Sequence, residues 1–130
     1  KNGQILLVKE RSDAKWSLPG GWADVCQSPS ESVVREVWEE SGFEVEASRL
    51  AAVYDRSKHP HEPLMHYHIY KLFFICDIVG GEAKTSNETE EVAFFPQDRL
   101  PDLSLTKILP EQIARMFAYF RQPDLPVYFD

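Results

Sequence analysis

The chain has 130 residues, of which 43% are hydrophobic, so it can bury one core and form a single domain over residues 1–130. Its formal net charge of −7 argues against a protein that binds nucleic acid through bulk electrostatic attraction. No signal peptide or apolar membrane span is visible. Cys26 and Cys76 have no pairing motif, which predicts reduced thiols and a cytoplasmic location.

The first predicted element is a strand. The run Gln4–Lys9 is mostly apolar and is bounded by an Asn-Gly turn and by charge, as expected of a buried strand, and residues 10–15 read as a polar loop. Because the chain begins at Lys1, within what reads as a hairpin leading into this strand, we expect residues upstream of it.

A helix over residues 29–41 follows. Ser28 can cap it, Pro29 suits its first position, Glu31 completes a capping box, and Gly42 ends it in a left-handed conformation. At about 100° per residue the helix has an arc for packing and an opposite, acidic arc. The packing arc holds Val34, Val37, Trp38 and Ser41, and the acidic arc holds Ser32, Glu36, Glu39 and Glu40.

Folding alone does not favour the acidic arc. Glu36 lies three and four residues from Glu39 and Glu40, spacings at which each pair of like charges costs about 0.2–0.5 kcal/mol. Glu39 and Glu40 also lie at the negative end of the helix dipole. A hard divalent cation, Mg²⁺ or Mn²⁺, would make the arrangement favourable, because carboxylate oxygens are its preferred ligands. The alternative is an ordinary solvated helix face.

The elements after the helix predict an α/β protein in which helices sandwich a mixed sheet. In chain order we expect a strand over the second half of residues 43–55, a loop over residues 56–65, a long strand over residues 66–79, a turn at Gly80-Gly81, an acidic segment over residues 82–91, a short strand over residues 92–95 stopped by Pro96, and a helix from Pro110 to Phe120.

Four histidines cluster in and after the predicted loop, namely His59, His61, His66 and His68. Two His-x-His pairs could suggest zinc. No cysteine or carboxylate with ligand spacing completes such a site, however, and Pro60 and Pro63 are typical of loop shaping. Contact with a substrate and an ordinary exposed loop are the two remaining interpretations.

The segment from Gly21 to Phe43 resembles the signature of the Nudix hydrolases, Gly-x5-Glu-x7-Arg-Glu-U-x-Glu-Glu-x-Gly-U, where U is bulky and apolar. From Gly21 the chain has five residues, Gln27, seven residues, and then Arg-Glu-Val-Trp-Glu-Glu-Ser-Gly-Phe. Every fixed position matches except Gln27. The resemblance implies a Nudix-like α/β/α sandwich and metal-assisted attack of water on a pyrophosphate.

The resemblance also implies roles for particular residues. The metal would be held by Glu36, Glu39, Glu40 and a backbone carbonyl near Gly20. Arg35 would orient one of these glutamates. The general base would be Glu36, Glu40 or a carboxylate of the second acidic cluster, with Glu88 and Glu91 as unranked candidates. Substrate contacts would come from Arg11, which is otherwise a solvent-facing arginine, and from His59, His61, Tyr67 or Tyr54.

The chain around the signature is similar to a bacterial branch of ADP-ribose or CDP-choline pyrophosphatases. The similarity rests on Gly-Gly-Trp-Ala-Asp at 20–24, Glu-Ser-Gly-Phe at 40–43, Lys-His-Pro-His at 58–61 and the run over 85–92. It implies a small-molecule nucleotide partner, namely a nucleoside diphosphate linked to a sugar or alcohol, and a small domain upstream; a homodimer is a further expectation. The alternatives are a pyrophosphatase that removes damaged nucleoside triphosphates and a non-catalytic nucleotide-binding module.

Overall fold

The computed structural model describes residues Lys1–Asp130 and contains two α-helices, one short 3₁₀ helix (Arg56–Lys58) and six strands. In chain order these are β1 (Gln4–Glu10), β2 (Trp16–Ser17), α1 (Pro29–Ser41), β3 (Phe43–Asp55), β4 (Tyr70–Gly81), β5 (Thr89–Pro96), α2 (Pro110–Arg121) and β6 (Tyr128–Phe129). At 13 and 12 residues, α1 and α2 fall short of the apolar length that a bilayer crossing requires.

The strands form two sheets of three strands each. In the first, with the order β2-β1-β5, all pairs are antiparallel. In the second, with the order β4-β3-β6, β3 pairs antiparallel with β4 and parallel with β6, so this sheet is mixed. The predicted α/β class is confirmed, although the strands are divided between two sheets.

The two helices cover opposite faces of the strands. Leu7 of β1 packs in the core cluster that contains Ile113 and Met116 of α2, whereas its neighbour Leu6 packs against the cluster that contains Val37 of α1. Because successive side chains of a strand point to opposite faces, α1 and α2 must lie on opposite sides. The layering is therefore that of an α/β/α sandwich.

Helix α1 has the predicted ends. The Glu31 backbone N–H donates to Ser28 Oγ at 3.2 Å, the Ser28 N–H donates to Glu31 Oε1 at 3.0 Å, and Gly42 has a φ of 81°. The predicted division of its faces is partly wrong. Val37 is buried, but Trp38 is 57% exposed and Glu40 only 5% exposed. Glu40 is buried because the Gly20-Gly21 turn, which precedes the helix, packs over its carboxylate.

Several predicted strand boundaries are also wrong. Strand β3 begins at Phe43 rather than halfway along its segment, because it pairs with β4 from Phe43 to Asp55. Strand β4 begins at Tyr70, so residues 66–69 lie outside it, and Gly80-Gly81 is paired rather than a free turn. Strand β5 begins at Thr89 and includes Pro96. Pairing between distant segments, not local composition, sets these ends.

Candidate functional site

A turn at Gly20-Gly21 packs directly on the acidic arc of α1. The Gly20 N–H donates to Glu40 Oε2 at 2.7 Å. A Cβ atom at Gly21 would lie 2.9 Å from Glu36 Oε1, whereas one at Gly20 would meet nothing within 4 Å. The absence of a side chain at Gly21 therefore lets the turn approach the Glu36 carboxylate. The predicted metal contact of the Gly20 carbonyl stays a prediction.

Glu40 is a buried carboxylate without a basic partner. It is 5% exposed, and none of the ion pairs of the chain includes it. Its pKa is raised to about 8, chiefly by burial; the charges of Glu36, Glu10 and Glu88 add to the shift, while the Gly20 N–H opposes it. Such a carboxylate is stabilised either by a proton or by a cation that binds between it and its acidic neighbours.

The raised pKa of Glu40 predicts how stability depends on pH in the metal-free protein. Between the ordinary value of 4.5 and about 8 the folded state binds a proton that the unfolded state has lost. Stability should therefore fall as pH rises through this window. Below pH 6.5 the buried His61 has the opposite effect, because its pKa is lowered to about 4. We therefore expect the melting temperature to decrease from pH 6.5 to pH 8, and Glu40→Gln to flatten that decrease; scanning calorimetry in a chelating buffer measures both.

The matched control for this measurement is Glu39→Gln on the same helix turn. The Glu39 side chain is half-exposed and pairs with Arg35, so this variant should keep the pH dependence of the parent. An equal slope in the parent and in Glu40→Gln would contradict the expectation. Mg²⁺ at pH 8 should raise the melting temperature of the parent more than that of Glu40→Gln, because a ligand that binds only the folded state stabilises it.

Arg35 connects the helix to the loop before it. Its Nη2 lies 3.1 Å from Glu36 Oε1 and 3.1 Å from Asp24 Oδ2, and its Nη1 donates to Glu39 Oε2 at 3.1 Å. Its Nε donates to Gln27 Oε1 at 3.1 Å. The guanidinium thus orients two of the helix carboxylates and makes no contact with Glu40.

The Gln27 amide therefore accepts the hydrogen bond that a carboxylate could accept at this position. We expect Gln27→Glu to change the apparent Mg²⁺ affinity more than the maximal rate, which should stay within about tenfold of the parent, because the residue reaches the helix carboxylates only through Arg35. Titration of activity with Mg²⁺ measures both quantities. Gln27→Met is the control that removes the oxygen accepting from Arg35 without adding a charge. An inactive parent that Gln27→Glu activates would instead indicate a binding module.

The second acidic cluster divides into two groups. Glu90 and Glu91 lie 3.2 Å and 3.7 Å from Lys9 Nζ, in a surface ion-pair group. Glu88 has no ion pair, and its charge raises the pKa values of Glu36 and Glu40. Of the two unranked candidates, Glu88 therefore lies near the helix carboxylates and Glu91 pairs with Lys9, while the choice of general base stays a prediction.

Two residues near Glu88 complete the surroundings. Arg11 is exposed; its backbone N–H donates to the Glu88 carbonyl at 2.9 Å and its Nε donates to the Ser86 carbonyl at 3.3 Å. Glu10, which sequence reasoning did not single out, also raises the pKa of Glu40 and forms an ion pair with Lys107. Its only sequence signal was its place at the end of β1.

The oxygen donors fit a hard divalent cation. No group of three or more His, Cys, Asp or Glu side chains already converges in a way that could hold a metal ion. Burial raises the pKa of Glu36, with Glu39 and Glu88 adding to the shift against Arg35. Carboxylates brought together against their charge suit Mg²⁺ or Mn²⁺, which prefer oxygen ligands and keep several waters.

His61 and Tyr54 are buried, each with 2% of its area exposed, so neither side chain is accessible to a substrate. The His61 ring lies between the Leu105 carbonyl, at 3.2 Å, and the Gln112 side chain, at 3.5 Å, and burial lowers its pKa to about 4. It is a neutral core histidine. The His59 ring binds the Asp130 carboxylate at 3.0 Å and packs edge-on against Tyr54, so it too is engaged within the protein.

Tyr67 lies at the surface, with 63% of its area exposed. Its ring meets that of Trp22 edge to face, with 6.1 Å between the ring centroids. Trp22 is 65% exposed and follows Gly21 directly. Sequence reasoning did not select Trp22 as a site residue, although a tryptophan beside two glycines in a polar loop was a usable signal.

The NUDIX domain profile matches residues 1–120. Over 130 residues the chain is 48% identical to the Bacillus subtilis protein named "Putative ADP-ribose pyrophosphatase YjhB"; the match covers the whole chain and 62% of that protein. An ADP-ribose pyrophosphatase structure from Streptococcus suis matches with a TM-score of 0.90 and 41% identity, over 100% of this chain and 92% of that one. A UDP-X diphosphatase structure matches with a TM-score of 0.89 and 32% identity, over 100% of this chain and 62% of that one.

Proposed function

Because the chain belongs to the Nudix family, we propose that it is a metal-dependent hydrolase that cleaves the pyrophosphate bond of a nucleoside diphosphate linked to a second group. The products are a nucleoside monophosphate and a second phosphorylated compound. The observation that carries the proposal is Glu40, a buried carboxylate with no basic partner beside Glu36 and under the Gly20-Gly21 turn. This arrangement costs folding energy unless a proton or a cation binds.

In this proposal Glu36 and Glu40 would hold Mg²⁺ or Mn²⁺ together with Glu39 and the Gly20 carbonyl. When bound, the ion neutralises phosphate charge and lowers the pKa of a coordinated water. Arg35 keeps Glu36 and Glu39 oriented through its two 3.1 Å contacts.

We assign the general base to Glu88, with Glu36 and Glu40 as the alternatives. The support is that Glu88 is exposed, has no ion pair, and lies close enough to Glu36 and Glu40 to affect both of their pKa values. An exposed carboxylate can take a proton from an attacking water and release it to solvent. Glu91, which pairs with Lys9, is not assigned a catalytic role.

The names of three relatives support a linked nucleoside diphosphate as the substrate class. The B. subtilis and S. suis proteins are named for ADP-ribose, and a further relative for UDP-X. Each name describes a nucleoside diphosphate joined to another group. The chain spans 62% of the length of the B. subtilis relative, so the ADP-ribose or CDP-choline type of substrate is proposed for the whole protein.

A substrate panel tests the proposal. ADP-ribose, CDP-choline, a UDP-sugar and an oxidised guanosine triphosphate are compared at equal concentration with Mg²⁺, and kcat/KM is measured for each. We expect nucleoside monophosphate release from at least one linked diphosphate, and loss of it in a chelator. A preference for the oxidised triphosphate would overturn the substrate class. Binding without hydrolysis of any compound would indicate a nucleotide-binding module.

Three further expectations stay predictions. Arg11 as a phosphate contact is supported by its exposure and by its bond to the segment before Glu88. A reducing, cytoplasmic setting is supported by two free thiols, Cys26 and Cys76. A homodimer is tested by the mass in solution, measured by light scattering on a sizing column.

A further inference from the structure

Trp22 and Tyr67 form an exposed aromatic pair that the proposed chemistry does not use. Trp22 lies in the loop before α1 and Tyr67 in the segment before β4, and their rings meet at an interplanar angle of 69°. Each ring keeps more than 60% of its residue's area exposed despite this contact. Two large aromatic side chains that meet without being buried mark a surface for binding.

The pair adjoins the carboxylates. Trp22 directly follows Gly21, and consecutive Cα atoms are about 3.8 Å apart. The Gly21 backbone is in turn so close to Glu36 that an added Cβ would lie 2.9 Å from its Oε1. A ligand whose phosphates lie at the carboxylates would therefore reach the aromatic pair with the group attached to those phosphates.

Tyr67 is held by an anchored loop. The Arg56 backbone N–H donates to the Ile69 carbonyl at 3.0 Å, its Nη1 donates to the Pro63 carbonyl at 2.8 Å, and its Nη2 donates to the Thr106 carbonyl at 3.2 Å. A cavity of about 50 Å³ lies inside this loop and has Tyr67 in its wall. This volume is far below the several hundred Å³ of a typical ligand pocket, so a ligand must lie on the outer faces of the rings.

A second concave region does not suit a nucleotide. It is a shallow groove of about 350 Å³ between α1 and β3, lined in part by Glu31, Val34 and Glu46. Two carboxylates there would repel phosphates, and no basic side chain lines it. The aromatic pair, which is uncharged and next to the proposed cation ligands, does not have this disadvantage.

We propose that the nucleobase of the substrate binds at the Trp22–Tyr67 pair, the platform, where it stacks on the face of one ring while the other ring, inclined at 69°, contacts its edge. This inference rests on the proposed function and extends it to the base. Stacking on an aromatic face tolerates any base, because every base has a π-face. The platform therefore accepts adenine, cytosine and uracil nucleotides alike, and the selectivity of the protein comes from the group beyond the pyrophosphate.

The test uses Trp22→Ala and Tyr67→Ala in the natural protein at its full length. Calorimetry with Mg²⁺ measures binding of AMP, CMP and ribose 5-phosphate, and steady-state assays give KM and kcat for the best linked diphosphate. Each substitution should weaken AMP and CMP binding and raise KM by about 5- to 100-fold, with kcat changed less than about threefold. Binding of ribose 5-phosphate, which has no base, should not change.

Two further variants make the result specific. Trp38→Ala removes a tryptophan of similar exposure from the outer face of α1 and should match the parent in every measurement. Trp22→Phe keeps an aromatic face and should recover most of the lost affinity. Melting temperatures of all variants exclude a loss of folding as the cause.

The two proposals can fail separately. Unchanged KM and unchanged AMP binding in both alanine variants would overturn the platform, while continued hydrolysis would leave the proposed function intact. If the parent hydrolyses none of the diphosphates but binds AMP, and Trp22→Ala abolishes this binding, the proposed platform is supported and the proposed hydrolase function is overturned. A parent that binds neither AMP nor CMP overturns the platform outright.

Discussion

Glu40→Gln is expected to leave the fold intact and to lower kcat by more than about 100-fold at saturating Mg²⁺. This loss exceeds the roughly 10- to 100-fold loss that is usual when the substituted residue only orients a metal ligand. The amide has the shape of the carboxylate and can still accept the Gly20 N–H. It cannot supply the negative charge that a hard cation requires. Kinetics with Mg²⁺ titration measures the loss, and circular dichroism checks the fold.

The control for this prediction is Glu46→Gln, an exposed glutamate on β3. It should turn over substrate like the parent. Near-full activity of Glu40→Gln at saturating Mg²⁺ would show that Glu40 is not a metal ligand. The buried position would then have to be explained by a protonated carboxyl group, which its raised pKa permits up to about pH 8.

Gly21→Ala is expected to lower kcat/KM by about 100-fold while changing the melting temperature little. The new Cβ would lie 2.9–3.1 Å from the three atoms of the Glu36 carboxylate group, closer than side chains normally approach. Glu36 is the flexible partner, so its carboxylate would swing away from the turn instead of the backbone moving. Misplacement of a reacting or ligating group by about 1 Å can cost 10²-fold.

Gly20→Ala is the matched control, because it adds the same methyl group one residue earlier, where nothing lies within 4 Å. It should lower kcat/KM by less than about tenfold and keep the Gly20 N–H bond to Glu40. Equal losses in the two variants would contradict the argument, since they would point to backbone stiffness and not to the Glu36 contact. The double variant Gly21→Ala/Glu36→Asp has a shorter side chain at position 36. A higher kcat/KM in this double variant than in Gly21→Ala would support the argument.

The tertiary structure places the three glutamates of the acidic arc in different environments. Sequence treated Glu36, Glu39 and Glu40 as equivalent members of one face. In the fold Glu39 is half-exposed and neutralised by Arg35, Glu36 shares that arginine, and Glu40 alone is buried without a basic partner. The three glutamates therefore differ in the charge that remains for a cation. A substitution series at the three positions should rank them in this order, with Glu39→Gln the mildest.

The sequence by itself determined the elements whose causes are local. Ser28, Glu31 and Gly42 fix both ends of α1 through bonds within a few residues, and Pro110 suits the first position of α2 because its φ is already helical. The spacing of Arg35 and the glutamates on one helix also follows from helix geometry alone, and the signature that contains them identified the family.

Only the tertiary structure decided which side chains are buried and which charges meet. Glu40 is buried by a turn 20 residues earlier in the chain, and Glu88 comes to the helix carboxylates from the segment before β5. His61, polar and in a loop, enters the core because the Leu105 carbonyl and Gln112 can bind its ring. Burial and Coulomb interactions act through space between segments that are distant in sequence, so no local pattern carries them.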